Sequence, residues 1–388
     1  MPATRQSQSV SMDAYEYGLP DQAIAQRPIE PRSAARMLVA GALSETGGVG
    51  HTTVADLPHY LGPGDVLVVN QTRVLAARLA LVKRTGGAAE VLLLEPAQAA
   101  IAASAASEAS LAWASAPGQS APPVWEALVR PGRRLPPGTQ LWESTGPDQI
   151  DPGPVVEVGE PVAGHDDGRR WVRLMDPSIV DRAGSMPLPP YIHTPLQDPD
   201  RYQTVYAAPS EPGAQSTAAP TAGLHLTPAV LDACRAAGAS IATVDLAIGL
   251  DTFRPVTAPT PEQHIIHTER YAVPAETMQA CRQASRVVAV GTTSVRALES
   301  AAATGRLSGR TDLYIHGDYS FGVVDVLLTN FHMPRSTLLL LVEAFCGPQW
   351  RDLYATALEE GYRFLSFGDA MLVARSGTSH QDGRAVGP

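Results

Sequence analysis

The chain has 388 residues, 44% hydrophobic and 18% charged, with a formal net charge of −10. This length and balance predict a soluble globular protein with room for two domains and argue against wholesale disorder. The acidic charge argues against a protein that coats nucleic acid through bulk charge, although it leaves room for a local basic groove. The polar leader, residues 1–13, has no apolar core and so predicts no signal peptide.

Other residue types limit which kinds of catalysis and which cellular compartment the sequence predicts. The longest apolar run, residues 338–342, is too short to cross a membrane. Cys234, Cys281 and Cys346 lie far apart without metal-type spacing, so we expect buried, reduced thiols in a cytoplasmic protein. Lys83, the only lysine, lies in a predicted hairpin, which sets aside pyridoxal-phosphate and Schiff-base chemistry.

The first half of the chain predicts a small, loop-rich β module inserted after a buried strand. That strand lies in residues 64–73 and enters a polar turn. Within 74–185 no stretch has a long helical period. Segments 79–83 and 90–94 predict a hairpin, 125–130 and 140–143 a further strand–turn–strand unit, 169–175 a strand, and 97–123 with part of 144–167 disordered surface loops.

From residue 187 onward, strands alternate with helices, which predicts an α/β core. Thr227 and Pro228 are typical of a helix start, and Gly238 of its end. The further predicted elements are strands at 241–248, 286–290 and 321–331, helices at 294–303 and 336–346, and a segment at 352–373 that begins as a helix and ends in an aromatic stretch.

Polar residues cluster where the predicted strands end, which is where open α/β sheets build binding sites. The first cluster, 219–227, precedes a helix and contains His225; it suits an anion site or, equally, a simple helix cap. The second, Gly291-Thr292-Thr293-Ser294, joins a strand to a helix carrying Arg296, as in nucleotide and anion sites. Ordinary turn chemistry explains it as well.

The third and fourth clusters carry titratable groups. Segment 329–334 closes a strand that also carries Asp325, a carboxylate that is costly to bury unless it is paired, whether for function or by a neighbouring turn. Segment 264–269 contains His264, His267 and Glu269. If it is a strand, His264 and His267 face opposite ways, which chelates a metal poorly, while Glu269 shares a face with His267 and would orient it as a proton carrier.

Together these stretches resemble one family, the S-adenosylmethionine:tRNA ribosyltransferase-isomerases of queuosine biosynthesis. The resemblance covers about residues 15–375. It is carried most strongly by residues 218–225, 290–296, 329–332 with Pro334, 336–338 and 368–372, and also by 19–20, 24–26, Asn70 with 72–74, 77–79 and 202–207.

The resemblance implies a larger α/β domain with a barrel-like sheet (11–73 and 186–376) and a small inserted β-barrel domain (74–185). It implies that the ribosyl part of S-adenosylmethionine, used as a co-substrate, is transferred to 7-aminomethyl-7-deazaguanine in tRNA and isomerised. Epoxyqueuosine forms, adenine and methionine are released, and no metal or redox cofactor is needed. A monomer that binds tRNA and no membrane is expected.

Roles follow for particular residues. We assign His267 with Glu269 as the base, and Asp325 or His332 as the acid that protonates adenine. The turns containing Thr221, Gly223, His225, Gly291, Thr292, Thr293 and Arg296 would hold the donor, with Arg73, Asn330 and Asp369 as further substrate-binding residues.

Several positions depart from the family's pattern. Gln71 replaces an expected Asp, Gly322 an expected lysine, and Gly317-Asp318 a Pro-Gly; segments 214–217 and 251–253 also differ. These departures keep alternatives open. They are a paralogue that cleaves S-adenosylmethionine with a small-molecule acceptor or none, a non-catalytic RNA-binding protein, and a metal hydrolase using His264 and His267.

Overall fold

The computed structural model describes residues 10–44, 47–97, 122–146, 149–150, 153–163, 168–208, 216–249 and 255–377. These residues belong to two compact units. The first is drawn from Met1–Thr72, Pro189–Ala208 and Ala219–Pro388, and the second from Arg73–Leu188 and Pro209–Ala218. The fold class is therefore mixed α/β, since the described residues form both helices and two large sheets.

The strands, numbered along the chain, are β1 (Arg36–Ala40), β2 (Val49–Thr53), β3 (Asp65–Asn70), β4 (Arg78–Val82), β5 (Ala88–Pro96), β6 (Val124–Arg130), β7 (Gln140–Leu141), β8 (Ser144–Gly146), β9 (Gln149–Ile150), β10 (Val156–Pro161), β11 (Arg169–Leu174), β12 (Gly184–Ser185), β13 (Ser240–Leu246), β14 (Glu269–Ala272), β15 (Arg286–Val290), β16 (Ser308–Thr311), β17 (Val326–Asn330) and β18 (Ala370–Ala374).

The α-helices are α1 (Ile179–Ala183), α2 (Pro228–Ala236), α3 (Ala275–Gln283), α4 (Thr292–Thr304), α5 (Thr337–Cys346) and α6 (Trp350–Glu359). Short 3₁₀ helices include Met12–Tyr15, Val54–Tyr60 and Thr221–His225. The helix start predicted at Thr227 is confirmed, because the Thr227 hydroxyl accepts the N–H of Val230 at 3.2 Å. Ser336 caps α5 in the same way, accepting from Leu339 at 3.2 Å.

The sheet of the first unit has nine strands among the described residues, in the order β16-β14-β13-β3-β15-β17-β18-β1-β2. Strands β13, β3, β15 and β17 are parallel, so their carboxyl ends lie along one edge. All six residues of β3 are buried, as expected for a central strand covered on both faces. Helix α4 packs against these four strands, and this places its N-terminus beside their carboxyl ends.

The second unit contains a mostly antiparallel sheet in the order β12-β4-β5-β6-β11-β10-β7. The predicted hairpin is confirmed, since β4 pairs antiparallel with β5. At its far end the sheet returns toward β4: Val82 and Trp142 form an isolated antiparallel bridge with N···O distances of 2.9 and 2.8 Å. Strands β8 and β9 form a separate two-stranded ribbon.

The strand–turn–strand unit predicted at 125–130 and 140–143 corresponds to β6 and β7. These strands do not pair with each other: β6 lies between β5 and β11, whereas β7 pairs with β10. Part of the predicted loop at 144–167 is β10, which is satisfied by strand partners on both sides. Segment 264–268 forms no strand, because β14 begins only at Glu269. Most of the predicted loop at 97–123 lies outside the described residues.

Two remaining expectations concern thiols and membranes. Cys234, Cys281 and Cys346 are buried and form no disulfide in the described part of the chain, as predicted. Burial raises the pKa of Cys234 to about 11 and that of Cys346 to about 12, so both remain thiols at neutral pH. Within the described part of the chain, no helix has the length and apolar character needed to cross a bilayer.

Candidate active site

The candidate site lies where the parallel strands of the first unit end. One pocket there contains about 330 Å³ of space not filled by atoms, part of it open to solvent. Its wall comes from the 3₁₀ turn before α2, the N-terminus of α4, and the segments after β13 and β17. The lining residues are Ala219, Pro220, Thr221, Ala222, Ile248, Gly291, Thr292, Thr293, Thr329, Asn330, His332 and Leu338. Thr221, Gly291 and His332, which are far apart in sequence, therefore share one cavity.

A second pocket of about 330 Å³ adjoins the first and shares four of its residues: Thr221, Asn330, His332 and Leu338. Its other lining residues are Tyr191, Phe331, Met333, Ser336, Leu365 and Ser366. The first pocket, on the side of α4, is here called the threonine lobe, and the second the aromatic lobe. The three polar residues that line both lobes, Thr221, Asn330 and His332, are here called the partition.

Hydrogen bonds connect Asn330 of the partition with Thr221 and with His225, which both lie in the turn before α2. Thr221 Oγ1 donates to Asn330 Oδ1 at 2.9 Å, and Asn330 Nδ2 lies 3.1 Å from His225 Nε2. Because an amide nitrogen can only donate, Nε2 of His225 must accept. Burial lowers the pKa of His225 to about 4, against an opposing contribution from Asp369. His225 is therefore neutral at pH 7 and carries its proton on Nδ1.

His332 has a second, separate set of contacts. Its Nε2 lies 2.9 Å from Thr329 Oγ1, and its backbone N–H donates to the Tyr354 hydroxyl at 3.0 Å. The Tyr17 hydroxyl donates to its carbonyl. Burial lowers the pKa of His332 to about 3, so this imidazole is also neutral at pH 7.

The N-terminus of α4 borders the threonine lobe. Gly291 precedes the helix with φ of 83°, a conformation that favours glycine, and a Cβ there would lie 3.5 Å from the Ala222 Cβ. The N–H groups of Ser294 and Val295 bond the Gly291 carbonyl. Those of Thr292 and Thr293 make no hydrogen bond to any described residue. The buried Thr293 hydroxyl also has no partner in the described part of the chain.

Arg296 lies one turn further along α4 and forms a buried ion pair with Glu269. Its Nε donates to the Leu313 carbonyl at 3.1 Å. The other carboxylate oxygen of Glu269 accepts the N–H of Gly249 at 3.1 Å, directly after the pocket residue Ile248. Glu269 thus ties α4 to the segment that follows β13. Burial of both groups is compatible with folding because each charge is paired.

Gly223 allows a tyrosine to approach the turn before α2. A Cβ at this position would lie 1.8 Å from the Tyr206 hydroxyl oxygen and 3.1 Å from Thr204 Cγ2. The Tyr206 hydroxyl is buried and has no hydrogen-bond partner among the described residues. Only glycine therefore fits beneath this side chain.

Asp369 is buried next to the site and contacts Asn330 through its backbone. Its carboxylate accepts the N–H of Arg36 at 3.1 Å and that of Arg363 at 2.8 Å, and it pairs with the Arg363 guanidinium. Its carbonyl lies 3.5 Å from Asn330 Nδ2. The Asp369 carboxylate is therefore held by arginine and backbone groups, while its backbone carbonyl faces Asn330.

Three residues singled out from the sequence lie elsewhere. Asp325 precedes β17, at the edge opposite Asn330, where it accepts the N–H of Val287 at 2.9 Å and pairs with Arg375. His267 is exposed in the loop before β14. Arg73 belongs to the second unit.

Sequence reasoning missed Tyr191 of the aromatic lobe and the two tyrosines that contact the backbone of His332. Tyr191 lies far from 365–366 along the chain, yet its hydroxyl lies 2.7 Å from Ser366 Oγ. Tyr17 and Tyr354 pack edge to face with ring centroids 5.4 Å apart. The aromatic stretch after α6 was the available signal, although its spacing does not reveal which partners it contacts.

Buried carboxylates beyond the predicted set are structural. Glu299 of α4 accepts the N–H groups of Gly322, Val323 and Val324 at 2.8–3.1 Å, which anchors the segment leading to β17. Gly322, one of the positions singled out in the sequence, thus contributes a backbone contact. Among the described residues, no group of three or more His, Cys, Asp or Glu side chains is arranged to hold a metal ion.

Comparison with known proteins identifies the family. The family described as queuosine biosynthesis protein matches residues 12–373. An S-adenosylmethionine:tRNA ribosyltransferase-isomerase of Rubrobacter xylanophilus is 46% identical over 95% of this chain and 98% of its own. One from Thermus thermophilus is 44% identical over 93% of this chain and 99% of its own. A crystal structure of S-adenosylmethionine tRNA ribosyltransferase from Thermotoga maritima is 31% identical, with a TM-score of 0.48, covering 92% of this chain and 99% of that one. The chain therefore belongs to the S-adenosylmethionine:tRNA ribosyltransferase-isomerase family, as the sequence motifs predicted.

Proposed function

We propose that this protein transfers the ribosyl part of S-adenosylmethionine to 7-aminomethyl-7-deazaguanine in tRNA and isomerises it, giving epoxyqueuosine. Adenine and methionine are the released products. The observation that carries the proposal is the shared pocket of Thr221, Gly291 and His332, built by the segments in which the family resemblance is strongest. Relatives named for this activity, at 44–46% identity over more than nine-tenths of the chain, support the choice of substrates.

The proposed catalytic domain comprises 11–73 and 186–376, and 74–185 forms a small inserted β-barrel domain. The bridge between Val82 and Trp142 supports the barrel, because it connects the strand pair at one end of the sheet with the strand at the other. The pocket residues all come from the first unit, which supports placing the chemistry there.

Within the site we propose that His332 transfers protons and that the turns at 221–225 and 291–296 hold the donor. The sulfonium of S-adenosylmethionine acidifies the ribose carbon bonded to sulfur, so the reaction begins when a base removes a proton from that carbon. A neutral imidazole offers a lone pair for this step, and the pKa of about 3 makes His332 a weak base in the free protein. Departing adenine needs a proton in return, which the resulting imidazolium is able to supply.

The lowered pKa values of His225 and His332 suit a cationic donor. Either imidazole, if protonated in the free enzyme, would repel the sulfonium at short range. Because burial keeps both rings neutral at pH 7, the donor enters without that repulsion. The position of Asp325, at the opposite edge of the sheet, favours His332 as the proton-transfer group.

The assignment of His267 and Glu269 as the base has less structural support. Glu269 is already held by Arg296 and by the N–H of Gly249, and His267 does not line either pocket. We propose that Glu269 positions Arg296 instead. We further propose a cytoplasmic, monomeric protein that acts on tRNA without a metal cofactor.

One experiment tests the function as a whole. The purified protein is incubated with S-adenosylmethionine labelled in adenine, with and without tRNA carrying 7-aminomethyl-7-deazaguanine. We expect adenine to be released only when that tRNA is present, together with one epoxyqueuosine per adenine. Release at the same rate without RNA would instead identify an enzyme with a small-molecule acceptor or none, and absence of release would contradict the proposal.

A further inference from the structure

We infer that the N-terminus of α4 is the subsite for the carboxylate of the donor's methionyl group. The proposed ligands are the N–H groups of Thr292 and Thr293 and the hydroxyl of Thr293. This inference rests on the proposed function, since it takes S-adenosylmethionine as the donor, and it specifies which part of that molecule each lobe receives.

The first observation is the helix end itself. The first N–H groups of a helix have no partner within the helix, and the aligned peptide dipoles make this end favourable for an anion. Here Ser294 and Val295 are satisfied by the Gly291 carbonyl, and the Gly291 N–H bonds the Leu328 carbonyl at 2.8 Å. Two donors, on Thr292 and Thr293, are left pointing out of the first turn of a 13-residue helix.

The second observation is independent of the helix. The Thr293 side chain lines the threonine lobe, only 8% of the residue is exposed, and its hydroxyl makes no hydrogen bond to any described residue. A buried hydroxyl without a partner is unfavourable, because it has lost its hydrogen bonds to water. A ligand oxygen in the lobe would supply the missing partner, because a hydroxyl is able to donate to a carboxylate.

The lining of the lobe favours a carboxylate over an RNA phosphate. An internal phosphate of RNA brings a nucleoside on each side and is usually contacted by arginine or lysine, and neither residue type is among the described residues that line the threonine lobe. A carboxylate is terminal and planar, so two N–H groups and one hydroxyl match its two oxygens. Gly291 keeps the approach open, since it places no side chain beside Ala222.

Placing the carboxylate here also orients the rest of the donor. The methionyl chain would run from the threonine lobe toward the partition of Thr221, Asn330 and His332, and the nucleoside would occupy the aromatic lobe. Tyr191 and Met333, which line that lobe and are partly exposed, offer surface to a base. The sulfonium and its ribose carbon would then lie at the partition, beside the neutral imidazole of His332.

The test compares two ligands on three proteins. S-adenosylmethionine and its decarboxylated form, which retains the sulfonium and the nucleoside, are titrated into wild type, Thr293→Val and Thr293→Ser by calorimetry. We expect wild type to prefer S-adenosylmethionine, and Thr293→Val to weaken that ligand about tenfold while changing the decarboxylated one less than twofold. Thr293→Ser keeps the hydroxyl and should retain the wild-type preference.

Partial misfolding of a variant would weaken the binding of both ligands alike. The ratio of the two affinities within each protein is therefore insensitive to misfolding. Equal weakening of both ligands by Thr293→Val, or no weakening of either, overturns the carboxylate subsite. A loss of tRNA affinity with unchanged S-adenosylmethionine affinity also overturns it, by identifying a phosphate as the anion. Absence of adenine release in the assay with tRNA would contradict the proposed function itself, so the two failures are distinguishable.

Discussion

Asn330 donates an amide hydrogen to Nε2 of His225 across 3.1 Å, and this contact fixes which nitrogen of the imidazole carries the proton. The orientation of the amide is itself set, because its oxygen accepts the Thr221 hydroxyl at 2.9 Å. A residue at the end of β17 thus controls the protonation of a residue in the turn before α2. The relationship is testable because a single substitution reverses it.

Asn330→Asp should raise the pKa of His225. A carboxylate cannot donate to Nε2, so it would accept from it and favour the imidazolium, against a wild-type pKa of about 4. We expect the pKa to rise by about 1–3, measured by NMR of protein labelled with ¹⁵N-histidine. Asn330→Ala, which removes the bond without adding charge, is the control. An unchanged His225 titration in Asn330→Asp would contradict the contact.

His332 and His267 make opposite predictions for turnover. His332→Gln should reduce the turnover number by about 10²–10⁴, the usual contribution of a proton-transfer group. His267→Ala should leave it within a factor of about three, since His267 is exposed and does not line either pocket. The measurement is adenine release at saturating tRNA. A large loss in His267→Ala with little effect of His332→Gln would restore His267 as the base.

The two neutral histidines should also make folding sensitive to acid. Their pKa values, about 4 for His225 and about 3 for His332, lie below the ordinary value of 6.5, so the unfolded chain binds more protons at mildly acidic pH. Their contribution to stability is fully present above pH 6.5 and is lost as pH falls toward 4. Each histidine adds at most about 1.4 kcal/mol per pH unit to this loss.

Urea denaturation at pH 7 and pH 5 measures the effect. His332→Gln should show a smaller drop in the free energy of unfolding between these two values than wild type does. His193→Gln, at an exposed position, is the matched control and should drop as wild type does. Identical drops in all three proteins would mean that His332 is not held neutral by burial.

The sequence predicted the pocket better than it predicted the chemistry of individual residues. Strand ends and turns are local features, so the segments around Thr221, Gly291 and Asn330 could be placed at the sheet edge from periodicity alone. Which face a side chain takes, and what it meets there, depends on distant elements. Asp325 and Asn330 belong to the same predicted strand, yet they lie at its opposite ends.

Glu269 shows the same limit. Because Glu269 lies two residues after His267, the sequence suggested that its carboxylate orients this histidine, provided that the segment was a strand. In the structure β14 begins only at Glu269, and the partner of its carboxylate is Arg296, 27 residues later on α4. No local spacing could reveal that pair. A single buried arginine on a site helix was the available signal, since such a cation requires a partner.

Replacing one partner of this ion pair should lower the free energy of unfolding more than replacing both partners. Glu269→Gln leaves the Arg296 cation buried without a counter-charge, and we expect a loss of about 3–5 kcal/mol in the free energy of unfolding. The double variant Glu269→Gln with Arg296→Met removes both charges and should recover more than half of that loss. Urea denaturation of wild type, both single variants and the double variant completes the cycle. Additive losses would show that the two side chains do not interact.

Gly223 and Tyr206 give a prediction about shape. Gly223→Ala places a methyl group 1.8 Å from the Tyr206 hydroxyl oxygen and 3.0 Å from its Cζ, so the ring must move. Overpacking of this kind costs about 1–3 kcal/mol, and here it would displace the turn that carries Thr221. We therefore expect both a lower melting temperature and weaker binding of S-adenosylmethionine.

Tyr206→Phe removes the clashing oxygen, which has no hydrogen-bond partner in the described part of the chain. On its own this substitution should be nearly neutral. Combined with Gly223→Ala it should restore part of the lost stability and affinity, since the ring then needs to move only a few tenths of an ångström from the new methyl group. If Gly223→Ala behaves like wild type, or if Tyr206→Phe brings no recovery, the close packing of Tyr206 on this turn is not what requires glycine at position 223.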